Sequence, residues 1–350
     1  MPDLVLRVDG QKLTGWETFR LERSLEAFAG AFSATVSDRR DFPIPEGAAV
    51  EAILDGFPIL TGWIDVVRPS FDARSRSVTI AGRDRTAELV DCSPVDLSAQ
   101  FEHVALDGLA SDLARPFGVQ VVVAGDPGAE FERFALHPGE TVHEALERAA
   151  RLRGVLLTTD GLGRLVLEKP GTTRAAVDLV EGENLLAGTG RFDRSSRFRR
   201  YVVRGQLQGS DLLFADETST EGEAFDEAVR SVRTTLILAE AGVDIATAQK
   251  RAEWEAAVRR ARGSALQVTL QGWRQGAAGP LWIPNVLARL RSPTLRIDRV
   301  LLVSSVLFTL DPRGGTTTEL DLVHPDAYSP EPSLKREDDL SDDLADPEED

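Results

Sequence analysis

Apolar and polar residues alternate with a period of two over most of this chain, and two regions switch to helical spacing. Leu4, Leu6 and Val8 alternate before an Asp9-Gly10 turn, and a second strand is expected to carry Trp16 and Phe19. The pattern continues through Phe28, Phe32, Ala34 and Val36. Asp55-Gly56 is a strong hairpin signal between Val50–Leu54 and Pro58–Val67, because both turn residues tolerate positive φ. Val78 to Ala81 predicts one more strand, leading into Arg83-Asp84-Arg85. Short strands separated by turns point to a small barrel over about residues 1–97 rather than a parallel sheet.

The period changes near residue 100. His103 to Ala114 reads as a helix with Val104, Leu106, Leu109, Ala110 and Leu113 on one face, ended by Pro116 and Gly118. Val119 to Val123 reads as a strand. A second helix is expected after Thr141, with Glu144 as its capping-box partner and Val142, Ala145, Leu146, Ala149 and Leu152 buried. Val155–Thr158 and Arg164–Glu168 then form a hairpin through Asp160-Gly161. Residues 98–170 are therefore expected to be a small α+β insertion, an arrangement too common to identify a function.

Residues 171–328 return to β structure. A strand centres on Tyr201, Val202 and Val203, next to the cluster Arg191, Arg194, Arg197, Arg199 and Arg200. The cluster reads as local ion pairs in a solvated region, or as a subunit contact or a match for acidic chain elsewhere. Ser210 to Ala228 reads as a long polar loop interrupted by Leu212, Leu213 and Phe214. Val232 to Leu238 is a strand candidate. An alanine-rich helix spans about 244–262, with Lys250 placed to lay its stem on Trp254 and Gly263 as its C-cap. From Leu266 to Val323 alternation resumes in segments broken by Gly272-Trp273, by the turn Gln275 to Pro280, by Leu281-Trp282-Ile283-Pro284-Asn285 and by Pro312 to Gly315. Trp16, Trp63, Trp273 and Trp282 all lie near turns, where rings close barrel ends, pack between subunits or, if exposed, stack on sugars. A glycine at 272 suits a bending strand, Pro284 suits an edge or bulge, and Asn285 can cap a turn.

Charge changes this picture little. The 350 residues carry a formal −17, of which residues 331–350 supply −8 through ten acidic and two basic side chains. Residues 329–350 are expected to form an acidic, disordered tail, and the overall balance argues against nonspecific nucleic-acid binding. One cysteine, Cys92, excludes an internal disulfide framework. No stretch has the length and apolarity of a membrane span, and the N-terminus does not read as a signal peptide, so stable membrane insertion is not expected.

Candidate chemistry is sparse. His137 and His143 stand six apart rather than four, with no glutamate placed for a zinc helix, and His103 and His324 are isolated. Phosphate-binding, dinucleotide and serine-elbow motifs are absent. Asp65, Asp84, Glu88 and Asp91 could cluster near one end of the first β domain, which is the sole footing for a hydrolase.

The order of pieces resembles the baseplate hub proteins of contractile phage tails, especially the Mu-like tail protein P family. The pieces are the early β domain, the α+β insertion, Tyr201-Val202-Val203-Arg204-Gly205-Gln206, the alanine-rich helix, Gly272-Trp273, Leu281-Trp282-Ile283-Pro284-Asn285, the strand Leu301–Leu310, Gly314-Gly315 and Thr318-Glu319-Leu320. Hubs of T4-like phages and the N-terminal part of type VI secretion spike proteins look alike in architecture. The resemblance implies a mainly β fold of two small barrel domains with the α+β insertion. It implies a homotrimer whose pseudo-sixfold ring joins a hexameric tail tube to a trimeric central spike in the virion baseplate, assembled in the host cytoplasm. Other baseplate proteins would be neighbours, and DNA would pass transiently through the lumen. No catalytic residue, cofactor or metal is implied. Trp16, Trp63, Arg197, Arg199, Arg200, Tyr201, Gly272, Trp273, Trp282, Pro284 and Asn285 become structural or interface candidates. The alternatives are a carbohydrate- or peptidoglycan-binding β module and, more remotely, a cell-wall hydrolase.

Overall fold

The computed structural model describes residues 3–37, 44–95, 99–171, 173–206, 219–238 and 245–329. The chain divides into two compact units, residues 1–190 with 266–323, and residues 191–265 with 324–350. The acidic residues 330–350 and the apolar run Leu212 to Phe214 lie outside the described residues.

The first unit begins with seven strands, β1 (Leu4–Val8), β2 (Gln11–Leu13), β3 (Thr18–Ser24), β4 (Ala31–Ser37), β5 (Ala49–Leu54), β6 (Phe57–Phe71) and β7 (Arg76–Asp84). The Asp55-Gly56 turn forms as expected, both residues at positive φ. The insertion follows as α1 (Ala87–Asp91), β8 (Gln100–Val104), α2 (Leu106–Ala114), β9 (Val121–Val123), β10 (Phe131–Ala135), α3 (Val142–Arg153), β11 (Leu156–Thr159) and β12 (Leu165–Glu168). Three strands come next, β13 (Thr173–Arg174), β14 (Leu179–Val180) and β15 (Leu185–Phe192). The second unit contributes β16 (Arg200–Gln206), β17 (Ser219–Phe225), β18 (Thr234–Leu238) and α4 (Ile245–Arg262). The last strands are β19 (Ser264–Gln271), β20 (Val286–Ser292), β21 (Ile297–Asp311) and β22 (Gly315–Val323).

Most strands of the first unit join one 14-stranded sheet, in the order β15-β19-β22-β21-β3-β4-β7-β6-β5-β1-β2, with β20, β13 and β14 branching from β21. This corrects the expectation of two separate small barrels. The ladder stays open among the described residues, with β15 at one end and β2 at the other. Alternation marks which face of a strand is buried, and it is silent on which edge finds which partner. The deciding element is β21. This fifteen-residue strand pairs with β22 over Leu302 to Asp311 along one flank, while β20, over Ile297 to Leu302, and then β3, over Ser305 to Leu310, share the other. That link, Phe19 opposite Leu310 through Ser24 opposite Ser305, fuses the two strand sets into one sheet.

The two sets repeat each other. β4-β7-β6-β5 and β19-β22-β21-β20 run in the same order, and β3 flanks β4 as β15 flanks β19. Both β6 and β21 have fifteen residues, and the strands after them, β7 and β22, have nine. Both long strands carry a bulge, between Ile64 and Val66 and between Val303 and Ser305. Superposing the bulges puts Ile64 on Val303, Ile80 on Leu320 and Ala34 on Val268, and all six are buried. One continuous core spans both sets, including Leu6, Phe19, Leu21, Trp282 and Phe308. Each such side chain contributes roughly 1.5–3 kcal/mol by leaving water. At the first bulge the strands cross so closely that a Cβ on Gly82 would stand 1.9 Å from the Trp63 carbonyl oxygen and one on Gly62 2.0 Å from that of Arg83.

The insertion has its own core from α2, α3 and the β9-β12-β11 sheet. The capping box forms, Thr141 Oγ1 accepting from Glu144 N and Glu144 Oε2 from Thr141 N. Gly154, at φ 58, closes α3. Leu152 was expected in the core but is 63% exposed. His103, expected to start a helix, sits in β8 at φ 47, and α2 starts three residues later at Leu106.

In the second unit, α4 lies on the sheet β17-β16-β18. Ala248, Ala252 and Ala256 pack on Tyr201, Val203 and Ala224. A Cβ on Gly222 would stand 2.3 Å from the Ala248 backbone, so small residues on both sides let helix and strand touch. Residues 219–225, read as loop, form β17 because its Gly222 and Ala224 are what α4 packs against. Arg251, not Lys250, covers the Trp254 ring at 4.6 Å, and the Trp254 indole donates to the Ser329 carbonyl.

One consequence can be measured. The His143 ring packs 4.4 Å from Phe28, and burial depresses its pKa below the ordinary 6.5. A depressed folded-state value means the stabilisation is complete above the unfolded value and is lost as pH falls through the folded value. Urea unfolding taken from neutral to mildly acidic pH should show falling stability, and His143→Gln should flatten that slope. An unchanged slope in the variant would assign the effect elsewhere.

Candidate functional site

The segment from Gly272 to Asn285 links β19 to β20, and the side chains around it lock the second strand set. Gly272, at φ 78, donates to the Thr316 carbonyl and accepts from Thr318 Oγ1 at 2.7 Å, which turns the chain out of the sheet. This directs Trp273 inward between Phe19 and Phe308, with ring centroids 5.8 and 5.5 Å away. Its indole N–H donates to the Thr309 carbonyl. Trp273 therefore clamps β3 to β21 at the place where the two sets join. Trp282 is 1% exposed. Leu281 to Asn285 form a turn with one bridge, Leu281 to Arg274, rather than a strand.

Pro284 is half-buried in that turn. Asn285 follows at φ 66, a left-handed conformation that asparagine tolerates. Its Oδ1 accepts from Gly171 N at 2.7 Å and its Nδ2 donates to the Lys169 carbonyl at 2.9 Å. Asn285 thus ties the exit of the insertion to the start of β20. Trp16 is buried and donates to the Leu13 carbonyl at 3.1 Å. Trp63 is 36% exposed.

Arg197, Arg199, Arg200 and Tyr201 belong to the second unit, and Trp16, Trp63, Trp273 and Trp282 to the first. Arg197 holds the buried Asp226 with two bonds of 2.8 and 2.6 Å. Arg199 pairs with Glu227, Arg200 with Glu223, and Arg204 with Glu221. Arg200 holds the Glu223 carboxyl below its ordinary range, and burial raises the Tyr201 phenol while its oxygen accepts from Phe198 N. The cluster forms local ion pairs, exposed ones being worth ~0–1 kcal/mol each.

The carboxylates considered for hydrolysis are occupied otherwise. Arg83 bridges Asp65 at 3.0 Å and Asp91 at 2.7 Å. Asp84 is buried, which raises its pKa, and it accepts from Gly30 N, Thr86 N, Thr86 Oγ1 and Thr159 Oγ1. Glu88 accepts from the Cys92 thiol, whose pKa burial pushes up. Among the described residues no group of three or more histidine, cysteine or acidic side chains could hold a metal ion.

Two features escape sequence reading. Arg274 reaches Asp55 at 3.0 Å, 219 positions away, which holds that carboxyl below its ordinary value. The second is a pair of strand edges without a strand partner among the described residues, the outer flank of β15 and the far half of β6, where Leu186 is 58% and Phe71 84% exposed. The signal for β6 was its length, an alternating run that outlasts its hairpin partner.

Asn285→Ala should lower the unfolding free energy by about 2–4 kcal/mol, since it strands a backbone donor and acceptor and removes a residue suited to positive φ. Asn285→Gly should lose less because it keeps the conformation. Urea titration checks both, and equal losses would separate the effect from φ.

Three family descriptions match successive parts of the chain. Residues 3–84 match the N-terminal domain of the Mu phage baseplate assembly protein GpP-like family. Residues 86–169 match the second domain of baseplate hub protein gp44-like proteins, and 244–331 the fourth domain of GpP. The baseplate hub protein gp44 of Escherichia phage Mu is 34% identical over 337 residues, covering 91% of this chain and 87% of that protein. The crystal structure of the prophage MuSo2 43 kDa tail protein from Shewanella oneidensis aligns with TM-score 0.83 and 32% identity over 93% of this chain and 99% of the other. A tail protein from Neisseria meningitidis MC58 aligns with TM-score 0.78 and 24% identity over 94% and 98%. The chain belongs to the Mu baseplate hub protein family, gp44/GpP, and is a structural component of a phage-type tail baseplate.

Proposed function

We propose that three copies of this chain close into a ring at the distal end of the tail tube and hold the central spike. The doubled strand set carries this reading. Three chains that each present two similar five-strand sets offer six similar positions to a hexameric tube, while the ring keeps true threefold symmetry toward a trimeric spike. The hub is a load-bearing adaptor, assembled in the host cytoplasm, whose lumen passes DNA or other cargo after contraction. Neighbouring baseplate proteins contact its outer surface. No helix among the described residues is long and apolar enough to cross a membrane.

The role is mechanical rather than catalytic. Support comes from the candidate carboxylates: Arg83 holds Asp65 and Asp91, backbone N–H groups and threonine hydroxyls hold Asp84, and Glu88 accepts from the Cys92 thiol. A glycan-binding module needs exposed rings. Trp282, Trp273 and Trp16 are buried, which leaves Trp63 as the sole partly exposed candidate among the four.

The purified chain should have a solution mass three times its 38.1 kDa, by light scattering or native mass spectrometry. Electron microscopy of the chain combined with tail tube and spike proteins should show the ring between them. A monomer that joins neither protein would overturn the reading.

A further inference from the structure

The second unit carries a charge opposite to that of the whole chain. Its described residues, 191–206, 219–238, 245–265 and 324–329, hold thirteen basic and eight acidic side chains, a net of +5, in a chain whose total is −17. The excess gathers at the C-terminal end of α4. There a Cβ on Gly263 would stand 2.8 Å from the Asp193 carbonyl oxygen, and the Gly263 carbonyl accepts from Asp193 N. Arg262 precedes that glycine, while Arg194 follows Asp193 and donates to the Ala228 carbonyl. Arg230 lies two residues beyond Ala228, and Arg260 reaches Asp226 at 3.8 Å. Four arginines from three segments thus meet at one end of one helix.

All four are exposed. The acids around them are already taken. Arg191 holds Asp193, Arg199 holds Glu227, Arg251 and Arg259 hold Glu255, and the buried Asp226 accepts twice from Arg197. Arg194, Arg230 and Arg262 have no acidic partner among the described residues. The complementary charge lies further along the same chain. Ser329, whose carbonyl accepts from the Trp254 indole midway along α4, is followed by residues 330–350 with ten acidic and two basic side chains, a net of −8. From Trp254 to Arg262 is about 12 Å of helix. The stretch from Ser329 to Glu337 alone can extend about 26 Å. Glu337-Asp338-Asp339 and Asp342-Asp343 are therefore within reach of the arginines.

We infer that the acidic residues 337–350 fold back onto the arginine-lined end of α4 in the same chain. Each exposed ion pair is weak and screened by salt. Several on one short tether act together, because the tether holds the carboxylates at a local concentration on the order of millimolar. The tail thereby occupies the part of the second unit best suited to a polyanion and shields it from nucleic acid. The inference rests on the charge of the second unit and is independent of the trimeric ring.

Carbodiimide crosslinking of the full chain tests this, since it joins amines to carboxylates in direct contact. Arg262→Lys and Arg194→Lys each place an amine in the cluster and keep its charge. Peptides joining the new amine to residues 337–350 should be recovered from the monomer band of a denaturing gel. The exposed Lys12 of the first unit is the reference and should link to the tail at least tenfold less. Salt at about 1 M, where the Debye length is about 3 Å, should remove the link. Heparin affinity gives a second readout. Deleting residues 337–350 should raise the salt needed for elution, and Arg194→Ser with Arg262→Ser in the shortened chain should lower it again. No link from either position, equal linking to Lys12, links confined to the dimer band or linking that survives high salt would each overturn the inference. A deletion that leaves heparin elution unchanged overturns it as well.

Discussion

Every backbone N–H and C=O in a buried strand needs a partner, and the fold follows from how β21 meets that demand over fifteen residues. A strand this long outruns any single short neighbour. Here β20 covers its first part and β3 its second, while β22 runs along the other flank. The bulge at Ser304 falls at the handover, where extra twist lets one strand leave and another enter. Because β3 comes from the start of the chain, this pairing brings residues some 285 positions apart into one ladder. Trp273 then packs on both strands at the seam, so side-chain packing and hydrogen bonding secure the same joint.

What the sequence reveals depends on the range of the interaction. The Asp55-Gly56 turn and the Thr141–Glu144 capping box are encoded within a few residues and form as read. Alternation in β1, β19 and β20 reports their buried faces for the same reason. Closed barrels did not follow, because nothing local in Thr18–Ser24 says whether its free edge returns to its own set or joins β21. The strand Ser219–Phe225 was hidden because Gly222 and Ala224 look like loop composition until α4 is in contact with them. The four candidate tryptophans stand near turns in the sequence, and Trp16, Trp273 and Trp282 are core residues. The Asp55–Arg274 contact and Asn285's bonds to Lys169 and Gly171 span more than a hundred positions, beyond any spacing argument.

The second unit meets the same backbone demand by another route. Where its three-stranded sheet meets α4, Gly222 and Ala224 face an alanine stripe, and the helix backbone approaches the strand closely. Such close contact gains dispersion over many atoms rather than burial of a few large groups. The surrounding arginines complete it locally. Arg197 neutralises the buried Asp226, and Arg251 and Arg259 both reach Glu255 on the same helix. A cluster that looks like a basic patch in sequence is thus largely compensated by acidic neighbours in three dimensions.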